Sequence, residues 1–339
     1  MKKKINLKYL LNSGKNNKAR YYLKSYYRYV VVPMALYKNS LSKWFKRFEN
    51  LPQSEQSYIM DRVSYYCKLT KPTSKAEIAK RLPSKATRLK EHTLKNRKGY
   101  SSPYFFDTYE YTRYFDPQLR WNHLFGDINY IPDTPSIVKS RPIDGDNENS
   151  ILLKLNKNRH FIRVHDNIKF EDKCDKAIFR GDIMGKSNRL DFVRRYIDHP
   201  LCDIGVVSRR PNSPIELERG AKSIYDHLNY KFVFALEGYD VASNLKWVMS
   251  SNSVAVMPKP TCETWFMEGR LEAGVHYIEI AADFSDLEER LQYYIDHPQE
   301  AVEISRNANR YVDQFWKKDR EDMISLMVLQ RYFETTGQR

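Results

Sequence analysis

The run Ala177-Ile178-Phe179-Arg180-Gly181-Asp182-Ile183-Met184-Gly185-Lys186-Ser187-Asn188-Arg189 has the residue types needed to hold an anion. An apolar strand enters a loop with two glycines and three cations, and a helical pattern, Leu190–Ile197, follows. Glycines let backbone N–H groups come close, a helix N-terminus adds partial positive charge, and arginine forks grip phosphate oxygens. Arg180, Gly181, Lys186 and Arg189 are therefore the candidate phosphate ligands. The spacing is GxxxGKS, one residue short of a Walker loop, and no Walker-type magnesium acid follows. A nucleotide-dependent phosphotransferase using this loop stays a rival reading, and a plain basic turn is the bland one.

A second cluster lies in residues 231–260, KFVFALEGYDVASNLKWVMSSNSVAVMPKP. Apolar runs Phe232–Leu236 and Val254–Met257 flank a polar elbow and a short helical pattern, the βαβ half-unit of a nucleotide-binding sheet. Ligands of such sheets bind outside the carboxyl ends of the strands, where Glu237, Gly238, Ser243, Asn244 and Lys246 fall. The next elbow, Pro258–Gly269, adds Glu263 and Glu268, and a carboxylate there is suited to accept both hydroxyls of a ribose. Each residue alone reads equally as a cap or a turn, and the weight rests on their convergence.

Metal chemistry is not required. Asp144-Gly145-Asp146 matches the DxD pattern that holds a divalent ion on a nucleotide-sugar, but the same letters make an ordinary Asp-Gly turn. His160, His165 and His276 lack a third ligand at metal spacing, and Cys67, Cys174, Cys202 and Cys262 show no CxxC pair, which predicts reduced, mostly buried thiols.

Two textures position these groups. Residues 1–110 read as helical and basic, while from Trp121 short apolar runs alternate with helical patterns: Ser136–Lys139, Ile151–Leu155, Phe161–Val164, Ala177–Phe179, Cys202–Val207, Phe232–Leu236, Val254–Met257 and Tyr277–Ile280. Such alternation predicts an α/β fold with parallel sheets. The expected division is 1–110, a basic Tyr-rich helical region; 111–170, the remainder of an N-terminal α/β domain; 171–312, a C-terminal α/β domain; and 313–339, a helix packing back on the N-terminal domain. Ser285 and Glu288 have capping-box spacing at the head of a late helix, and His297-Pro298 breaks the helical run that follows.

Charge is concentrated at one end. Residues 1–100 hold 25 of the 57 Lys and Arg but only five of the 42 acids, leaving the other 239 residues slightly acidic. So many cations must face water or an anionic partner. Tyr21, Tyr22, Tyr26, Tyr27 and Tyr29 interleave with Arg20, Lys24 and Arg28, ahead of the apolar patch Val30–Leu36, a texture that suits a phosphate-bearing membrane surface. Base stacking by a nucleic-acid-binding protein is the rival, but no RNP, zinc-finger or helix-turn-helix signature accompanies it, and nucleic acid is not expected as a partner. No apolar run reaches transmembrane length and the Met1-Lys2-Lys3-Lys4 start is no secretory signal, which predicts a cytoplasmic, peripheral protein.

The segments KSRPI, NSILLKLNKNRHF, FRG with a later Arg, the 231–260 run, ETWFMEG and GVHYIEI, in this order over roughly residues 120–310, resemble glycosyltransferase family 90. The likeness is closest to the bacterial branch that modifies lipopolysaccharide. It implies a GT-B-type fold of two Rossmann-like domains facing a cleft, and inverting transfer from a UDP-sugar without a cofactor. It also implies an Asp general base near the end of the first domain. By order and distance Asp127 is the matching position, with Asp133 and the Asp144/Asp146 loop in the same window. The lipopolysaccharide branch implies a glycolipid core as acceptor, at the cytosolic face of the inner membrane. Eukaryotic members place an Arg after the EG elbow, where this chain has Asn244, so the phosphate grip is expected to come mostly from Arg180, Lys186 and Arg189.

Overall fold

The computed structural model describes residues 14–38, 40–82, 86–97, 99–183, 185, 187–207 and 214–339. They divide into two compact units. One holds 159–260 and 269–314, together with 14–16; the other holds 17–158, 261–268 and 315–339.

The first unit is built on a five-stranded, wholly parallel sheet in the order Ile278–Glu279, Val254–Met257, Tyr230–Phe234, Cys174–Gly181, Cys202–Val206. Strands covered on both faces read as continuous apolar runs, and all four residues of Val254–Met257 are buried. The Ser187–Tyr196 helix packs Phe192 against Phe234 and Phe284, with ring centroids 4.9 and 5.0 Å away. The half-unit expected at 231–260 is present: Val254, Ala255 and Val256 pair in parallel with Phe232, Val233 and Phe234, and the Leu245–Val248 helix lies between the two strands in sequence.

Two local expectations fail. Phe161–Val164 is not a strand, because its backbone finds side chains instead of a neighbouring strand: Ser250 Oγ accepts from the Val164 N–H at 3.1 Å, and Asn16 donates to the Phe161 carbonyl. The Ser285 capping box does not form either. Ser285 donates to the Asp283 carboxylate from its N–H and its hydroxyl, and the helix starts at Leu287 with Asp286 as its cap residue. The break at His297-Pro298 does separate Leu287–Asp296 from Pro298–Asp313.

The second unit joins helices to a small parallel sheet, His123–Leu124, Ser136–Val138, Ser150–Leu152. Its last helix, Lys318–Thr335, packs along Gln53–Tyr66. Between them Glu321, buried, accepts from Arg62 at 2.5 Å, Trp265 Nε1 at 2.6 Å and Lys154 at 3.0 Å. These three donors outweigh the cost of burying the carboxyl and hold it below its ordinary range. Near the N-terminus, Tyr22 and Tyr29 of the helical segment Lys18–Val31 pack edge-on against Phe106, Phe105 and Tyr109. Another aromatic cluster anchors the segment before Asp127: Phe125 stacks on His123 at 4.4 Å and on Tyr104 at 5.2 Å, while His92 meets Trp121 at 4.9 Å.

Burial pushes His92 down to about 3 and His123 down to about 4, so both are neutral in the folded protein at pH 6.5. Below that pH the unfolded chain takes up protons that the folded chain refuses. Stability is complete above pH 6.5 and falls with acidification by about 1.4 kcal/mol per pH unit for each histidine, until the folded-state values are reached. Urea unfolding at pH 7 and pH 5 should show this loss, and His92→Gln should remove about half of the slope it generates.

Candidate active site

Because the sheet of the first unit is parallel, the strands ending at Gly181, Phe234 and Met257 deliver the chain to one common edge. The loop after Gly181 and the elbow after Phe234 meet there through Arg189. Its Nε donates to the Glu237 carbonyl at 2.9 Å, its Nη1 to the Asp182 carbonyl at 3.0 Å, and its Nη2 to the Leu236 carbonyl. Burial pushes this guanidinium down to about 10; Asp182, Asp240 and Glu237 oppose that shift and Arg159 reinforces it. It is still a cation at neutral pH. Gly185 has φ +71° and lies against the Tyr239 hydroxyl so closely that a Cβ there would collide with it. At Gly181 a Cβ would come within 2.6 Å of the Phe179 ring. Both glycines are thus fixed by close approach of a ring.

Arg180 and Asn244 on this edge are scaffold donors as well. Arg180 is paired with Asp203 at 2.5 Å and donates to the carbonyls of Asp203, Phe179 and Gly220 at 2.7, 2.9 and 3.2 Å. Burial alone would raise the Asp203 carboxyl, but Tyr230, Arg180 and Lys222 hold it at about 2. Asn244 donates to the Phe234 carbonyl at 2.8 Å, tying the short helix to the strand it follows. Lys246 is fully buried, and Gly238 donates its N–H to the Asp240 carbonyl at 3.0 Å. Glu237 and Ser243 are partly exposed on the elbow. Lys186 lies outside the described residues.

Arg159, within KNRHF, escaped the residue-by-residue reading. It is exposed, its charge is felt by Arg189, and among the described residues its guanidinium makes no ion pair. The helix N-terminus at Ser187 has no acid in its first turn to oppose an anion. The sequence signal was an arginine directly before the buried His160 and next to the boundary between the units.

Glu263 and Glu268 belong to the other unit. Cys262–Thr264 is a strand paired antiparallel with Ser140–Pro142. The Glu263 carboxylate, buried, accepts from Arg141 Nε at 2.8 Å and from the Tyr65 hydroxyl, and Arg141 also donates to the carbonyls of Ser150 and Tyr65. Glu268, equally buried, accepts from the Thr264 N–H at 2.7 Å and from its hydroxyl at 3.0 Å. Their convergence with the elbow residues was expected because 258–269 follows the Val254–Met257 strand directly, but both carboxylates are held within the second unit's own packing.

Asp127 is also in the second unit. It follows Gly126, whose φ is +146°, and its exposed carboxylate is 2.5 Å from the buried ammonium of Lys139. The next N–H, of Ile128, is fixed by Ser140 Oγ at 3.1 Å. Asp133, Asp144 and Asp146 are exposed; the last caps its own turn by accepting from the Glu148 N–H. Among the described residues no three His, Cys, Asp or Glu side chains stand together as a metal site.

A model of glycosyl transferase family 90 matches residues 150–336, more than half of the chain. The chain is similar to the O-glucosyltransferase LpsA of Dichelobacter nodosus, 37% identical over 317 residues that cover 94% of this chain and 95% of that protein. It is more distantly similar to protein O-glucosyltransferase 3 of Homo sapiens, 26% identical over 168 residues, 48% of this chain and 32% of the relative. Protein O-glucosyltransferase 2 of Danio rerio is 29% identical over 89 residues, 26% of this chain and 18% of the relative. With a parallel-sheet α/β unit, ordered motifs and a match of this extent, the chain belongs to glycosyltransferase family 90 and is a glycosyltransferase.

Proposed function

We propose that this glycosyltransferase moves a hexose or pentose from a UDP-sugar, with inversion, to a hydroxyl of a lipopolysaccharide or lipooligosaccharide core or a related surface glycan. The observation that carries the reading is the shared strand edge, where Arg189 joins the glycine loop to the EGYD elbow. In this reading the two units are the donor-binding and acceptor-binding domains of a GT-B-type enzyme. Glu237 and Ser243 contact the donor from the elbow. Arg159 and the N–H groups at the head of the Ser187–Tyr196 helix receive the diphosphate, since Arg180 and Arg189 spend their donors on backbone carbonyls.

The acceptor oxygen attacks the anomeric carbon from the face opposite UDP. Its proton passes to the Asp127 carboxylate, the bond from the anomeric carbon to the phosphate oxygen breaks, and UDP leaves with the electron pair. Lys139 pairs with the Asp127 carboxylate and holds it in place. The developing diphosphate charge is met by Arg159 and the helix end, so this reading includes no metal or other cofactor.

A membrane surface is the proposed setting for the acceptor. Leu23, Tyr27, Val30, Val31 and Met34 recur at three- and four-residue spacing and are all exposed, away from Tyr22, Tyr26 and Tyr29, which pack on Phe105 and Phe106. Exposed Arg20 and Lys24 flank this face, the composition of a helix lying in a headgroup layer rich in anionic lipid. Among the described residues no helix is long and apolar enough to cross a membrane. The inner-membrane cytosolic face, with lipopolysaccharide precursors as substrate, fits this chemistry.

UDP should raise the melting temperature whereas ATP and an oligonucleotide should not; no response to UDP would sink the donor assignment. Arg159→Ala should weaken UDP binding by about tenfold, the loss of one charge-assisted contact. Asp127→Asn should abolish transfer and leave the UDP affinity unchanged, and surviving turnover would move the base elsewhere. Sedimentation with vesicles containing phosphatidylglycerol should show binding that weakens with salt and is lost in Leu23→Asp/Val30→Asp; equal binding by that variant would refute the docking face.

A further inference from the structure

We propose that the second unit holds a pocket for one oxyanion, a phosphate or carboxylate group on the acceptor glycan, gripped by Arg113; the identification of the anion's carrier rests on the function proposed above. A cavity of about 80 Å³ is lined by Arg28, Trp44, Glu110, Arg113, Lys318 and Asp322, among others. A buried water needs only about 10–15 Å³ on the same measure, so the space admits a group of several heavy atoms.

The charges around this cavity do not cancel. Glu110 is paired with Arg28 at 2.6 Å and with Lys157, and Asp322 is paired with Lys318 and accepts from the Tyr111 hydroxyl at 3.1 Å. Each acid on the lining is thus matched by another cation. Arg113 is left over. It is only 6% exposed, its guanidinium stacks over the Tyr37 ring at 3.6 Å, and neither Nε nor Nη1 has a hydrogen-bond partner among the described residues. Burial, with Arg28 adding repulsion, lowers its hold on the proton.

A buried guanidinium whose acidic neighbour, Glu110, is already paired with Arg28 and Lys157 is costly, and native structures seldom leave its donors idle. A guanidinium binds carboxylate or phosphate oxygens through charge-assisted hydrogen bonds, and the stack on Tyr37 occupies its face and not its edge. Arg28 comes from the same helical segment as the exposed Leu23–Met34 face. An anion entering here is therefore carried by a molecule that reaches the protein beside its proposed membrane contact, as the charged sugars of a glycolipid core would.

The test begins with inorganic phosphate, titrated at constant ionic strength with UDP present in excess to occupy the donor site. The wild-type melting temperature should rise to a plateau, and Arg113→Met should show no rise. Because that variant removes a packed side chain, the fluorescence of Trp44 in the otherwise intact protein gives a second readout: phosphate should change it saturably, and the change should vanish in Trp44→Phe. With acceptor glycolipid, Arg113→Met should raise the acceptor KM by about tenfold and leave kcat and the donor KM unchanged. Acceptor stripped of phosphate should erase the difference between variant and wild type if phosphate is the group bound, and preserve it if a carboxylate is. A wild type that gives no saturable response to phosphate, or a variant with wild-type KM on both acceptors, overturns the pocket. Absence of transfer by the wild type would instead count against the proposed function, while the phosphate titration would still decide the pocket.

Discussion

Carbonyl groups at the carboxyl ends of parallel strands lose their ladder partners, and buried carbonyls need donors. At the edge of the five-stranded sheet those donors are the polar side chains that look most like ligand-binding residues. Arg189 serves Asp182, Leu236 and Glu237, and Asn244 serves Phe234, while Arg180 serves Phe179 together with Asp203, near the start of its strand, and Gly220, in a loop. The loop and the elbow keep their shape because these donors are engaged. A site assembled in this way is preorganised: Arg180 and Arg189 hold backbone carbonyls, while Arg159 is exposed.

The second unit buries full charges and pairs almost all of them. Glu321 gathers Arg62, Lys154 and Trp265, and Glu263 gathers Arg141 and Tyr65, so each carboxylate has several donors to offset its desolvation. Such clusters link segments far apart in sequence: Arg62 and Glu321 are 259 residues apart, Arg141 and Glu263 122. Against this pattern Arg113 stands out as an enclosed cation that makes no ion pair among the described residues, and its Nε and Nη1 have no hydrogen-bond partner among them.

The sequence made the first unit's sheet legible because its strands are buried on both faces and appear as short apolar runs, with Val254–Met257 recovered residue for residue. The same rule misread Phe161–Val164, an apolar run whose backbone is satisfied by Asn16 and Ser250 instead of a ladder. Spacing marked Ser285 and Glu288 as a capping box, but Ser285 donates to Asp283 instead. Less visible still was the fate of Glu263: its strand pairs with Ser140–Pro142, a partner more than a hundred residues away that no local periodicity reports. Arg159 was overlooked for the opposite reason, since its value lies in what surrounds it and not in its spacing.

The chain leaves the first unit after Pro260, adds the strand Cys262–Thr264 to the second, returns at Gly269, and gives its last helix to the second unit again. The Gln53–Tyr66 helix therefore waits for Lys318–Thr335 to complete its packing. During synthesis the second unit stays open, with Arg62 unpaired until Glu321 has emerged, and neither unit is available as a contiguous fragment for excision or for swapping between relatives. For this protein, vectorial folding of the second unit is complete only after Lys318–Thr335 has left the ribosome.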